Sequence, residues 1–223
     1  MHPLDNPVWA ALSGPQKVHA DRRGRAARFD PEISPFAAVD DPADPRAWRD
    51  LAALAGPADP ALVAAPAVPL PPGWVSTGGA PGVQLVGTEY HGEPDPEAYP
   101  LTAADVPEML DLAARTRPGP FRGRTLTLGT YLGIRRGGTL VAMAGERMRV
   151  PGHTEISAVC TDEHHRGSGL ATRLVAAVAA GIRARGEVPF LHAAADNTAA
   201  IRLYERLGFD LRTTMQFVAA VPA

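Results

Sequence analysis

The distribution of proline constrains the fold of this chain more than any other sequence feature, because 17 of its 23 prolines lie in the first 100 residues. Proline lacks a backbone donor and interrupts helices and central strands. Residues 64–74 and 91–100 therefore cannot continue as a helix or a central strand. We expect residues 1–95 to form a loop-rich, proline-rich N-terminal region with short elements, and residues 96–223 to form a separate, more regular domain.

The chain after residue 95 has the periodicity of alternating helices and strands. Apolar residues recur at helical spacing in residues 101–116, 168–186 and 197–209. Strands are expected in a hairpin over residues 129–150 and singly over residues 153–161, 187–195 and 209–221. This order predicts an α/β (α+β) fold in which helices flank a mixed central sheet. In the N-terminal region we expect one helix capped by Asp44 and two short strands within residues 72–90.

Composition excludes several classes of function. The net charge of −2 gives no electrostatic reason to bind nucleic acid, and the longest apolar segment is too short to span a membrane. The N-terminus lacks the pattern of a signal peptide. A single cysteine, Cys160, rules out an internal disulfide and suits a reducing compartment. We therefore expect a cytoplasmic protein that binds neither nucleic acid nor membrane, and no histidine or cysteine spacing predicts a metal site.

A glycine-rich segment, HHRGSGLATRL, joins a predicted strand to the strongest predicted helix. The first amides of a helix lack partners within the helix, and its dipole makes that end positive. Gly167 and Gly169 leave the amides open, and Arg166 adds a charge. A pyrophosphate suits such a helix start, although a plain glycine-rich turn is an equally good interpretation of this segment alone.

The glycine-rich segment can be compared with three known types of phosphate-binding loop. A P-loop ends in Gly-Lys-Ser/Thr, and this loop has no lysine. A dinucleotide fingerprint requires a third small residue where Thr172 stands and an acid at the C-terminal end of the next strand, and residues 187–195 have no acid there, so this interpretation is weak. A pyrophosphate loop for coenzyme A is the third candidate, and the plain glycine-rich turn stays open beside it.

A second motif supports the loop for coenzyme A. Residues 196–209 read DNTAAIRLYERLGF. Together with residues 160–174 they resemble the GNAT N-acetyltransferase superfamily, which has a Q/R-x-x-G-x-G/A loop followed by N-x-x-A-x-x-x-Y-x-x-x-G-F. The residues that match the second motif are Asn197, Ala200, Tyr204, Gly208 and Phe209. His164 occupies the first position of the loop motif, so no side-chain contact is carried over there.

The resemblance covers about residues 98–220 and implies a mostly antiparallel GNAT-type sheet that binds acetyl-CoA as acyl donor. The strand before the loop would pair with the pantetheine arm, and the loop amides would hold the pyrophosphate. Asn197 would lie near the pantetheine arm, although a helix N-cap explains it equally well. The implied cofactor-binding residues are Val159, Cys160, Thr161, Arg166, Gly167, Ser168, Gly169, Leu170, Ala171, Thr172 and Asn197.

The resemblance also implies direct acetyl transfer to an amine, with Tyr204 as the general acid that protonates the leaving thiolate. Glu155 is the candidate base, because a carboxylate in a half-dry cleft has a raised pKa. Glu146 and a water molecule are its rivals. We interpret His192 as a core residue and Cys160 as a small buried hydrophobe rather than a covalent nucleophile.

The sequence thus predicts an acetyl-CoA-dependent N-acetyltransferase that uses no metal and acts on a small-molecule or peptide amine. The alternative is a non-catalytic acyl-CoA-binding regulatory module. The N-terminal region would be a degenerate half-fold or a substrate lid, and a homodimer stays open. The acceptor and the length of the acyl chain cannot be read from the sequence.

Overall fold

The computed structural model describes residues 2–56 and 59–223, in which a large sheet is flanked by helices. The strands are β1 (Ala20–Arg23), β2 (Ala26–Phe29), β3 (Ala37–Val39), β4 (Ala61–Ala65), β5 (Trp74–Val86), β6 (Tyr99–Pro100), β7 (Tyr131–Arg136), β8 (Thr139–Val150), β9 (His153–Thr161), β10 (Val188–Ala194) and β11 (Asp210–Pro222). The α-helices are α1 (Pro7–Ser13), α2 (Pro45–Ala52), α3 (Val106–Thr116), α4 (Leu170–Ala184) and α5 (Thr198–Leu207).

Eight strands form the central sheet, in the order β4-β11-β5-β10-β9-β8-β7-β6. Within it, β9 and β10 pair in parallel and the other neighbours pair antiparallel. The predicted mixed, mostly antiparallel sheet is therefore confirmed. No helix of the described residues is long and apolar enough to cross a membrane.

Helices cover both faces of the sheet. The apolar stripe of α4, with Leu174, Val178 and Ile182, packs on Leu85 and Leu191. Each such buried side chain contributes roughly 1.5–3 kcal/mol to the free energy of unfolding. Because side chains alternate along a strand, neighbouring residues of β5 and β10 point to the opposite face, where Val86 and Phe190 belong to the buried cluster that includes Val8 and Leu12 of α1.

The N-terminal region is more structured than expected. The short strands β1, β2 and β3 form their own antiparallel sheet beside α1 and α2, and Asp44 caps α2 as predicted. The next two strands, β4 and β5, belong to the central sheet. That sheet therefore takes strands from both sides of residue 95, and the division into two domains there stays a prediction.

Residues 74–86 form one long strand, β5, where two short strands were expected. Continuous pairing with β11 bridges the glycines in its middle. Pro81 is accommodated because β10 pairs with β5 only from Gly82 onward, so the missing proline N–H faces the end of β10. The expected two strands are joined into one because a long neighbouring strand lies on the other side.

The sheet opens between β9 and β10. Their parallel pairing ends at Ile156 and Leu191, whereas β10 stays paired with β5 to Ala194. Beyond this point β9 carries a bulge, with Ala158 at φ +53°, a left-handed conformation that is unusual for alanine. The separated strand ends form the base of a cleft.

Candidate active site

The glycine loop forms an open helix start, as an anion site requires. Gly167 and Gly169 have φ of +78° and +79°, and a Cβ added to either would meet no atom within 4 Å. No side chain caps the first amides of α4. The residues present therefore fit a bound pyrophosphate, because free amides and a positive helix end face open space.

A cleft of about 690 Å³ runs from this loop to the point where β9 and β10 separate. It brings together all the predicted cofactor-binding residues except Ser168, whose hydroxyl donates to the backbone carbonyl of His165. Those lining residues are Val159, Cys160, Thr161, Arg166, Gly167, Gly169, Leu170, Ala171, Thr172 and Asn197. Their roles in binding stay predictions.

A second cavity, of about 350 Å³, adjoins the cleft on the far side of the strand opening. The two spaces share Val159, Asn197 and Tyr204 as walls. A donor whose phosphates lie on the glycine loop would place its reactive end at this junction. We predict that the second cavity would then hold the acceptor, and we call it the acceptor cavity.

Tyr204 stands at the junction, on α5, and is 7% exposed. Burial raises the pKa of its phenol to about 12. The hydroxyl therefore keeps its proton at neutral pH, as a general acid requires. Asn197 caps α5 by accepting from the backbone N–H of Ala200 at 3.1 Å, and its position on both cavities leaves the predicted pantetheine contact open as well.

The surroundings of Glu155 differ from the half-dry cleft that the sequence led us to expect. Glu155 is fully buried, and its carboxylate accepts from Nε and Nη2 of Arg147 at 2.9 and 2.6 Å. Burial alone would raise its pKa, but the Arg147 charge and hydrogen bonds from Arg147 and His192 lower the pKa to about 2. The expected raised pKa was therefore wrong. Glu155 lines neither cavity, and its role as base stays a prediction that the geometry does not favour.

The rival carboxylate, Glu146, is also unavailable. It accepts from Nη2 of Arg185 at 2.9 Å and lines neither cavity. Cys160 lies on the cleft wall, and burial raises the pKa of its thiol to about 11. A protonated thiol is a poor nucleophile, which agrees with its interpretation as a small hydrophobe.

The side chain of His192 is 4% exposed, in agreement with its interpretation as a core residue, and it also lines the second cavity. Its Nδ1 lies 2.8 Å from Glu155, and its Nε2 lies 3.1 Å from Nε2 of Gln84. Arg212 donates to the Gln84 oxygen, so the Gln84 amide must donate to His192. Nδ1 therefore donates to Glu155, and both ring nitrogens are engaged. Its neighbours come from three other strands, which no local pattern reveals.

Replacing Glu155 with glutamine should lower the free energy of unfolding by about 3–5 kcal/mol, because the buried Arg147 charge loses its partner. Urea unfolding at pH 7 measures this loss. The folded-state pKa of about 2 lies below the ordinary 4.5, so this contribution is present above pH 4.5 and is lost as the pH falls towards 2. The gap between the two proteins should narrow over that interval.

A double variant supplies the control. Exchanging both Arg147 and Glu155 for methionine removes both charges, and it should recover most of the lost stability. A Glu155→Gln protein as stable as the wild type would contradict the assignment of a structural ion pair.

Comparisons with known proteins show to which class of protein this chain belongs. The family model described as FR47-like protein matches residues 131–218. The N-alpha-acetyltransferase RimI of Mycobacterium tuberculosis is 38% identical over 121 residues, which are 49% of this chain and 75% of that protein. The chain is therefore an N-acetyltransferase that transfers an acetyl group to an amine. It belongs to the GNAT superfamily.

Solved structures agree with this assignment. A protein of Novosphingobium aromaticivorans, described as a member of the GNAT family, is 44% identical with full coverage of both chains and a TM-score of 0.92. A GCN5-related N-acetyltransferase of Kribbella flavida is 18% identical over 95% of both chains, with a TM-score of 0.63, and supports the fold alone. Family membership favours the enzyme over the predicted alternative of a non-catalytic module.

Proposed function

We propose that this protein transfers the acetyl group of acetyl-CoA directly to the amine of a small molecule or peptide, with Tyr204 as general acid. GNAT acetyltransferases use acetyl-CoA as donor, and the observation that supports its use here is the joined pair of cavities. The open amides of Gly169 and its neighbours begin the donor side, and Tyr204 stands where it meets the acceptor side.

Acetyl-CoA supplies a thioester whose carbonyl carbon receives the amine and whose sulfur leaves as a thiolate. The amides at the start of α4 would bind the pyrophosphate, and the free edge of β9 beyond Ile156 would pair with the pantetheine arm. Tyr204 would donate its phenolic proton to the departing sulfur. These roles follow from position and protonation state.

The acceptor must lose a proton before it attacks, and the surroundings favour that loss. No aspartate or glutamate of the described residues lines the acceptor cavity, whereas Arg117 and Arg147 do. Positive charge and apolar walls both lower the pKa of an ammonium. Water at the open mouth of the cavity can then accept the proton without a dedicated carboxylate.

The test of this function is thiol release from acetyl-CoA in the presence of amines, with thermal stabilisation by acetyl-CoA measured in parallel. We expect stabilisation with acetyl-CoA alone and thiol release only when an acceptor amine is added. An absence of stabilisation would contradict the donor site, and stabilisation without turnover on any amine would contradict the acetyl transfer.

The pH dependence of kcat should show one rising limb. Ionisation of the bound amine produces the rise, and the Tyr204 phenol, whose pKa burial raises to about 12, stays protonated throughout. We expect the rate to rise and then remain level to about pH 10. A descending limb near neutral pH in a pH–rate profile would contradict Tyr204 as the acid.

No group of three histidine, cysteine, aspartate or glutamate side chains in the described part of the chain lies close enough to hold a metal ion. A reaction without a metal stays a prediction. A homodimer and a cytoplasmic location also stay predictions.

A further inference from the structure

The wall of the acceptor cavity carries an unusual arginine. Arg147 is 7% exposed and uses only two of its three nitrogens, Nε and Nη2, to hold Glu155. Its Nη1 has no hydrogen-bond partner among the described residues. This nitrogen is not one of the fully buried polar atoms without a partner, so it is not completely enclosed by protein. Since Arg147 lines the acceptor cavity, this nitrogen is a donor open to a ligand there.

The arginine is held rigidly. Glu155 fixes one edge of the guanidinium, and the ring of Phe36 lies 4.8 Å from its central carbon. A fixed guanidinium donor in a mostly apolar pocket suits a carboxylate, which accepts charge-assisted hydrogen bonds.

A second positive group, Arg117, lines both the acceptor cavity and the donor cleft. The side chain of Arg117 makes no hydrogen bond or ion pair with the described residues, and the residue follows α3 in a left-handed conformation at φ +52°. Arg147 is already paired with Glu155, so Arg117 is the arginine of the described lining without a partner, and a carboxylate on the acceptor would supply one. A purely cationic acceptor would meet no opposite charge.

The size and the other walls narrow the class further. At about 350 Å³, the cavity lies near the lower end of the roughly 300–1,000 Å³ found for small-molecule sites. Apolar side chains, including Phe36, Leu62 and Phe217, cover much of it. An acceptor of this shape combines an amine, a carboxylate and a short apolar group.

We propose that the acceptor is a small apolar amino acid whose carboxylate is bound by Arg147 with support from Arg117. This inference rests on the proposed function. Phe36 and Leu62 come from the first 95 residues, so that region would shape the acceptor site.

The test compares L-leucine with 3-methylbutylamine, which keeps the amine and the apolar group but lacks the carboxylate. A leucine-initiated dipeptide serves as a third acceptor, with its carboxylate displaced. Thiol release from acetyl-CoA should give a kcat/KM about 10- to 100-fold higher for leucine than for either alternative, as expected for hydrogen bonds to a charged group.

Variants separate the residues. Arg147→Lys keeps the charge beside Glu155 but lacks the third nitrogen, and it should remove most of the preference for leucine. Arg117→Asn suits the left-handed backbone and should reduce the preference in part. The control, Arg49→Gln, replaces an exposed arginine on α2 that lines neither cavity, and it should change nothing.

Each outcome decides the proposal. Equal kcat/KM for leucine and 3-methylbutylamine, or preference for the dipeptide, would overturn it while leaving the acetyl transfer intact. Failure with every amine would instead count against the proposed function. Calorimetric titration measures the affinity of leucine for the protein in complex with coenzyme A. Leucine binding that is weakened by Arg117→Asn supports the carboxylate site. An absence of leucine binding overturns it.

Discussion

Replacing Tyr204 with phenylalanine should lower kcat for acetyl transfer by about 100-fold or more, with little change in the Kd for acetyl-CoA. General acid catalysis typically contributes 10²- to 10⁴-fold, and phenylalanine removes only the hydroxyl that would donate the proton. Steady-state thiol release gives kcat, and calorimetry gives Kd. The large loss should fall on kcat, because the hydroxyl acts on the leaving sulfur and the ring still packs on Phe209.

The same aromatic cluster provides a matched control. Tyr90 also packs on Phe209, with ring centroids 5.1 Å apart, but it lines neither cavity. Tyr90→Phe should leave kcat close to that of the wild type. Equal effects of the two substitutions would mean that the loss at Tyr204 comes from disturbed packing rather than from a missing proton donor.

Replacing Gly169 with aspartate should raise the Kd for acetyl-CoA by more than about 100-fold, which corresponds to roughly 2.7 kcal/mol. The new side chain would project into open space at the start of α4, where the pyrophosphate is expected. Its negative charge repels the phosphates, and its oxygens compete for the same amides. Isothermal titration measures the change.

The control must carry the same backbone strain. Gly152, in the turn between β8 and β9, has φ of +75° and equally open surroundings. Aspartate at either position costs about 1–2 kcal/mol for the left-handed conformation, so both variants should lose similar thermal stability. Only Gly169→Asp should lose acetyl-CoA binding. Unchanged affinity in that variant would make the loop an ordinary turn.

Local chemistry made much of this fold predictable. Asn197 caps α5 and Gly208 ends it at φ +96°, because each residue type suits that terminus. The hairpin of β7 and β8 turns at two glycines with positive φ for the same reason. Such signals lie within a few residues of the feature that they predict.

The acceptor side could not be predicted, because its contacts join distant segments. The role expected of Glu155 depended on its neighbours, and a register shift between Glu146 and Arg149 places two residues of β8, Arg147 and Met148, opposite it. That shift brings Arg147 onto the carboxylate and changes a candidate base into half of an ion pair. The sequence periodicity of β8 does not predict this register shift.

The position of the last strand has a consequence for how the chain reaches its native state. β11 lies between β4 and β5, so the two earlier strands have no neighbour on that side until residues 210–222 arrive. During synthesis, residues 61–86 leave the ribosome before their partner strand, and more than a hundred further residues are made before they can pair with it. Pairings between such distant segments form slowly, so closure of the sheet should come late in folding.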